Sequence, residues 1–81
     1  MPGMTVDPLN PTPLYLQVAD LIASRIERGE WEPRQLIPSE LSFQQEYGVA
    51  RGTIRRAFEI LRERGLVVTM PQRGTYVADG A

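Results

Sequence analysis

Eighty-one residues with no cysteine, no histidine and no lysine make one small domain, held by an ordinary apolar core rather than by disulfides or a metal. A domain of this size buries only roughly 60% of the surface of its unfolded chain, so its stability margin is thin. The composition excludes thiol, imidazole and Schiff-base catalysis, and the net charge of −1 conceals an asymmetry. Residues 1–50 carry three arginines against seven acids, a balance of −4, whereas residues 51–81 carry six arginines against three acids, a balance of +3. No stretch approaches the about 18 apolar residues of a membrane span, and no basic-then-apolar leader opens the chain, so the expected location is the cytoplasm.

Residues 1–11 hold three prolines and one glycine without periodicity and read as a flexible lead-in. A first helix is predicted from Thr12 as cap and Pro13 as first helical residue, where the missing N–H costs nothing. Leu14, Val18, Leu21, Ile22 and Ile26 recur at helical spacing, and Gly29 supplies a left-handed stop. A loop with Trp31 and Glu32-Pro33 follows, and Leu36-Ile37 is a candidate short strand. Ser39 caps a second, brief helix whose Glu40 complements the helix dipole; its expected buried residues are Leu41, Phe43 and Tyr47.

Gly48-Val49 marks a tight turn. A third helix, residues 51–64, places Ile54, Ala57, Phe58 and Leu61 on one apolar face, and Gly65 ends it. Its first six residues include Arg51, Arg55 and Arg56, and a step of about 100° per residue puts Arg51, Arg55 and Arg62 on one flank with Gly52 and Arg56 further round. Residues 66–70 and 75–78 read as two strands joined by the loop Pro71-Gln72-Arg73-Gly74. The fold class is therefore α+β, a winged helix-turn-helix over residues 12–78 with a tail at 79–81: three helices, a C-terminal β-hairpin wing, and a candidate strand before the second helix.

Two helices joined by a tight turn, the second arginine-rich where it begins, form the arrangement that enters the major groove of DNA. An arginine-rich face is often no more than a solvated helix face, but the position of this one, directly after the turn, favours DNA. Arg73 at the hairpin tip is placed to reach a minor groove, with Gln72 adding a hydrogen bond and Gly74 allowing close backbone approach; an ordinary surface β-turn is the alternative there.

Four segments resemble one family. Pro13–Ala19 is similar to the PLYxQVA opening of the GntR regulators, Leu36–Glu40 to their LPSE element, Gly48–Arg55 to GVSRxTVR, and Arg73–Val77 to the RGTFV of the wing. The motifs stand in order over residues 13–77. The resemblance implies a bacterial, sequence-specific, DNA-binding transcription regulator, in which the helix 51–64 reads the major groove of a palindromic operator and the wing at residues 71–74 lies near the minor groove. It implies base contacts from Arg51 and Arg55, and Gly52, Thr53 and Arg56 at the same end of the helix are further candidate DNA-binding residues. It also implies phosphate contacts from the Ser39 end of the second helix, and groove contacts from Gln72, Arg73 and Gly74. Tyr15 is implied as a phosphate contact, although its ring suits the core equally.

Three departures stand out. Ala50 replaces the usual Ser or Thr, Leu41 replaces a common Arg, and Met70-Pro71-Gln72 replaces a glycine-containing approach to the wing. A winged helix serving protein interaction is the competing class, separable by salt dependence. No catalytic residues, cofactor or metal are expected. The expected partners are double-stranded DNA in the nucleoid and a second copy held weakly on it. The family's usual C-terminal domain is not in this sequence, so no small-molecule effector is expected here.

Overall fold

The computed structural model describes residues 6–79. Its elements follow in the order α1 (Leu14–Glu27), α2 (Glu40–Tyr47), α3 (Arg51–Glu63), β1 (Val67–Met70) and β2 (Gly74–Val77). Three helices and a two-stranded antiparallel sheet thus give the expected α+β winged architecture.

The start of α1 differs from expectation. Its cap is Pro13, with φ −53° and ψ 143°, and no side chain caps it. Thr12 lies one residue too early, and Gln17 does the anchoring instead. The Gln17 amide donates to the carbonyls of Thr12 at 2.8 Å and Asp7 at 3.0 Å, and its oxygen accepts from the Asp7 N–H at 2.7 Å. Residues 6–11 are therefore tied back onto α1, and Val6 packs against the core, which the absence of periodicity did not reveal. Residues 1–5 of the expected lead-in, and residues 80–81 of the tail, lie outside the described residues.

Val18, Ala19, Ile22, Ala23 and Ile26 of α1 are buried against Ile54, Ala57, Phe58 and Leu61 of α3. The 3.6-residue period leaves each helix one apolar stripe, and the two stripes close on one another. Phe43 of α2 fills the third side. Its ring lies 5.9 Å from Phe58, 6.0 Å from Trp31 and 6.0 Å from Tyr47. Removing such a buried ring costs about 3–5 kcal/mol, a large part of what a small domain possesses.

Ser39 caps α2 as expected, its hydroxyl accepting the Ser42 N–H at 3.1 Å. Leu41, expected inside, is instead 60% exposed. Only two turns long, α2 buries Phe43 and Tyr47 at i and i+4, and a residue two positions before Phe43 points roughly the opposite way. The turn runs through Gly48 in left-handed conformation and Val49, half-buried against the core.

In the wing, Val67 pairs with Val77, Val68 with Tyr76, Thr69 with Thr75 and Met70 with Gly74. Gly74, expected in the loop, therefore opens β2. Its φ of +127° strains any side chain, and Leu36 Cδ1, 2.7 Å from where a Cβ would stand, would have to move aside for one. The candidate strand at Leu36-Ile37 is a single bridge, Leu36 to Tyr76. Backbone bonds from Arg34 to Val77, Val77 to Gln35 and Ile37 to Thr75 flank it, fastening the wing to the loop before α2.

Candidate nucleic-acid interface

The start of α3 is an exposed basic surface directly after the turn of the helix-turn-helix. Ile54, Ala57, Phe58 and Leu61 hold the inner face at 0–1% exposure, so Arg51, Gly52, Arg55 and Arg56 are driven outward and Thr53 sits at the boundary. Ala50, at φ −69° and ψ 156°, offers the first turn no side-chain cap. Its carbonyl accepts from Thr53 and Ile54, while the first amides of the helix have no acceptor within it, as at any helix start, an arrangement suited to an anionic group.

The structure sorts the arginines by what already holds them. Arg25 is 9% exposed, sunk where α1 ends. Its guanidinium grips Glu30 with two bonds of 2.8 and 2.6 Å, and donates to Glu46 at 2.8 Å and to the Tyr47 hydroxyl at 2.9 Å. It also lies 4.8 Å from the Trp31 ring centroid and 5.6 Å from that of Phe43. The hydrogen bond to Glu30 raises the Arg25 pKa and holds the Glu30 carboxyl below its ordinary value; burial pushes the Tyr47 phenol up. Nothing in the motifs marked this cluster. The available signal was a charged residue at position 25 inside the stripe formed by Val18, Ile22 and Ile26.

Arg56 donates to Glu59 at 2.8 Å, and its guanidinium lies 5.3 Å from the centroid of the Tyr15 ring. Tyr15, half-buried, thus faces a cation of its own chain. Arg62, expected on the flank of Arg51 and Arg55, turns instead to the wing and donates to Thr69 Oγ1 at 3.0 Å; Thr69 and Thr75 in turn share a hydrogen bond of 3.1 Å. Arg64 pairs with Asp20 at 2.9 Å. Among the described residues, no hydrogen bond or ion pair engages the side chains of Arg51, Arg55 or Arg73.

Arg73 and Gln72 stand exposed at the wing tip, where the Arg73 N–H closes a turn on the Met70 carbonyl at 3.0 Å. Ser39 and Glu40 line one groove together with Gln72, Arg73 and Gly74, so the start of α2 and the wing form a continuous surface. The Ser39 hydroxyl is already engaged in capping and in a 3.2 Å bond to Ser42 Oγ. Among the described residues no acidic cluster could hold a metal ion, and no helix is long and apolar enough to cross a membrane.

Comparison with known proteins agrees with this architecture. The family model for bacterial regulatory proteins of the gntR family matches residues 14–77. The histidine utilization repressor of Pseudomonas aeruginosa is 42% identical over 69 residues, covering 85% of this chain and 28% of the repressor. The transcriptional repressor NagR of Bacillus subtilis is 32% identical over 75 residues, covering 93% of this chain and 31% of NagR. The chain thus spans under a third of the length of these relatives. Among solved structures, the AraR DNA-binding domain in complex with operator ORX1 superimposes with a TM-score of 0.84 at 38% identity, covering 91% of this chain and 94% of that one. YtrA from Sulfolobus acidocaldarius, a GntR-family transcription factor, gives 0.84 at 30% identity over 94% of this chain and 80% of its own. With a winged helix-turn-helix and a family match over residues 14–77, the chain belongs to the GntR family of bacterial regulatory proteins.

Proposed function

We propose that this chain is a sequence-specific DNA-binding domain of a transcription regulator. The helix 51–64 enters the major groove by its N-terminal end, and the wing at residues 71–74 follows the adjacent minor groove. The observation that carries this reading is the set of three arginines, Arg51, Arg55 and Arg73, left exposed and without a partner inside the described fold. A domain that ties down Arg25, Arg56, Arg62 and Arg64 but not these three leaves them for an outside ligand. Arginine's fork fits the guanine edge or a phosphate. Arg51 and Arg55 are assigned to bases, with Gly52 letting the backbone close in and Thr53 beside it. The first turn of α2 at Ser39 and the Tyr15 side chain are assigned to the phosphate backbone, and Arg73 to the minor groove. The histidine utilization repressor and NagR are named as repressors, and AraR is seen on operator DNA, which favours repression from a site in the nucleoid.

Each copy takes one half of a palindromic operator. Among the described residues the exposed large apolar side chains are Leu9, Leu36, Leu41, Val68 and Met70, too few for a strong dimer interface, so copies pair weakly and on the DNA. Binding of an operator duplex, selected from a random pool, is measured by fluorescence anisotropy across salt concentrations. The logarithm of the binding constant is expected to fall linearly with that of salt, as counterions leave the phosphates, and scrambled duplex is expected to bind more weakly. Sedimentation equilibrium of the free protein at micromolar concentration is expected to give a monomer. Binding that is indifferent to both salt and sequence would favour the protein-interaction reading.

A further inference from the structure

The wing turn carries a feature that the fold does not use. In Met70–Arg73, Pro71 occupies the second position and Gln72 the third with φ +65°, the type II pattern in which glycine or asparagine is at ease and a longer side chain is strained. A second turn of the same build spans Glu32–Gln35, closed by the Gln35 N–H on the Glu32 carbonyl at 3.0 Å, with Pro33 second and Arg34 third at φ +71°. There the strained side chain has a carboxylate nearby, Arg34 Nε lying 3.9 Å from Asp79 Oδ2 with both side chains exposed. At the wing tip the Gln72 amide is exposed, and among the described residues it makes no hydrogen bond. That φ closes the turn between β1 and β2, but the turn has no use for a glutamine side chain in a position that suits glycine better, so the exposed amide is left for a ligand outside the domain.

The chemistry of that ligand follows from the two side chains at the tip. In the minor groove an A·T pair shows only acceptors, whereas G·C adds the 2-amino donor of guanine. Arg73 can only donate, but the Gln72 amide both donates and accepts. We propose that Gln72 is a specificity-determining residue of the wing, its carbonyl oxygen accepting a hydrogen bond from the guanine 2-amino group of a G·C pair under the wing tip. The proposal rests on the DNA-binding reading above. An arginine alone would favour a narrow A·T tract; Gln72 beside it gives this wing a preference for G·C at one step.

The test is an inosine scan. An operator selected from random duplexes by the wild-type chain is the probe, and each G·C pair is replaced in turn by inosine·C, which lacks the 2-amino group and keeps the major-groove edge. The wild-type chain is expected to lose about fivefold in affinity at one position in the minor groove facing the wing. Gln72→Gly, which relaxes the turn, is expected to melt at a higher temperature and to bind the G·C and inosine·C duplexes equally at that position. A scan without any sensitive position, or a sensitivity that Gln72→Gly leaves intact, overturns the assignment of Gln72. Failure of the wild-type chain to select any duplex would instead remove the DNA-binding reading beneath it.

Discussion

Arg25 and Arg55 both project from helices of this domain, and both carry a full charge, yet their surroundings are opposite. Arg25 meets two carboxylates, a phenol and the faces of two aromatic rings within its own chain. Arg55, with Arg51 and Arg73, meets none of these among the described residues. The first region joins the end of α1, the Trp31 loop and the end of α2 into one body, and among the described residues no buried side-chain polar atom lacks a partner. The second region leaves guanidinium groups, an uncapped helix start and a strained wing residue unanswered. The contrast separates side chains that build the domain from those that await a partner, which a count of positive charges does not.

Removing the buried member is the harshest test of that contrast. Arg25→Met keeps much of the apolar stem between Trp31 and Phe43 but strands the Tyr47 hydroxyl and releases both carboxylates. Glu30 and Glu46 have side chains 41% and 48% exposed, so water screens part of the loss. The expected destabilisation is about 2–3 kcal/mol, read from the midpoint of urea unfolding, with the sequence preference of the remaining folded protein unchanged. A midpoint equal to wild type would break the contrast, because Arg25 would then be as dispensable to the fold as Arg55.

A pair of neighbours on α3 sharpens it. Arg55→Ala is expected to cost about 1–3 kcal/mol on a cognate duplex and to relax the preference at one base pair. Arg56→Ala, one residue on, removes a side chain already committed to Glu59 and to the ring of Tyr15, and is expected to cost less than half as much in binding. Anisotropy titrations of both variants on cognate and scrambled duplex decide the matter. Equal losses for the two would mean that Arg56 leaves Glu59 when DNA arrives, and that free and held arginines are not distinguished by the unbound fold.

Much of this was legible in the residues, and the parts that were not share a cause. The stripes of α1 and α3, the turn at Gly48-Val49 and the hairpin followed from periodicity and turn chemistry, because these depend on neighbours close in sequence. The cap of α1 was misplaced at Thr12 because Gln17 and Asp7, ten residues apart, hold that end. Leu41 was misplaced because a two-turn helix offers too few positions to define a face. Gly74 belongs to β2 because it pairs with Met70 across the hairpin, a register that turn residues alone do not fix. For the candidate site, the motifs brought out Arg51, Arg55 and Arg73, and the pairing of Arg56 with Glu59 at i+3 could have been read directly. The capture of Arg62 by Thr69, of Arg64 by Asp20 and of Arg25 by Glu46 required the tertiary fold.

The smallest expected effect concerns Ala50, and the molecule contains its own control. Ser39 caps α2 from φ −69° and ψ 165°, and accepts the N–H of the residue three positions on. Ala50 precedes α3 at φ −69° and ψ 156° with no such bond, so the backbone there is already shaped for a capping hydroxyl. Ala50→Ser would aim its Oγ at the Thr53 N–H as Ser39 aims at that of Ser42. The gain is expected to be about 1 kcal/mol, which for a domain of this size raises the melting temperature by about 4–8 °C. The Thr53 N–H already reaches the Ala50 carbonyl at 3.1 Å, so the gain lies at the lower end if the two acceptors compete. Thermal unfolding followed by circular dichroism measures it. An unchanged melting temperature would show that the start of α3 lacks nothing in the free domain, and that the missing hydroxyl of Ala50 bears on DNA alone.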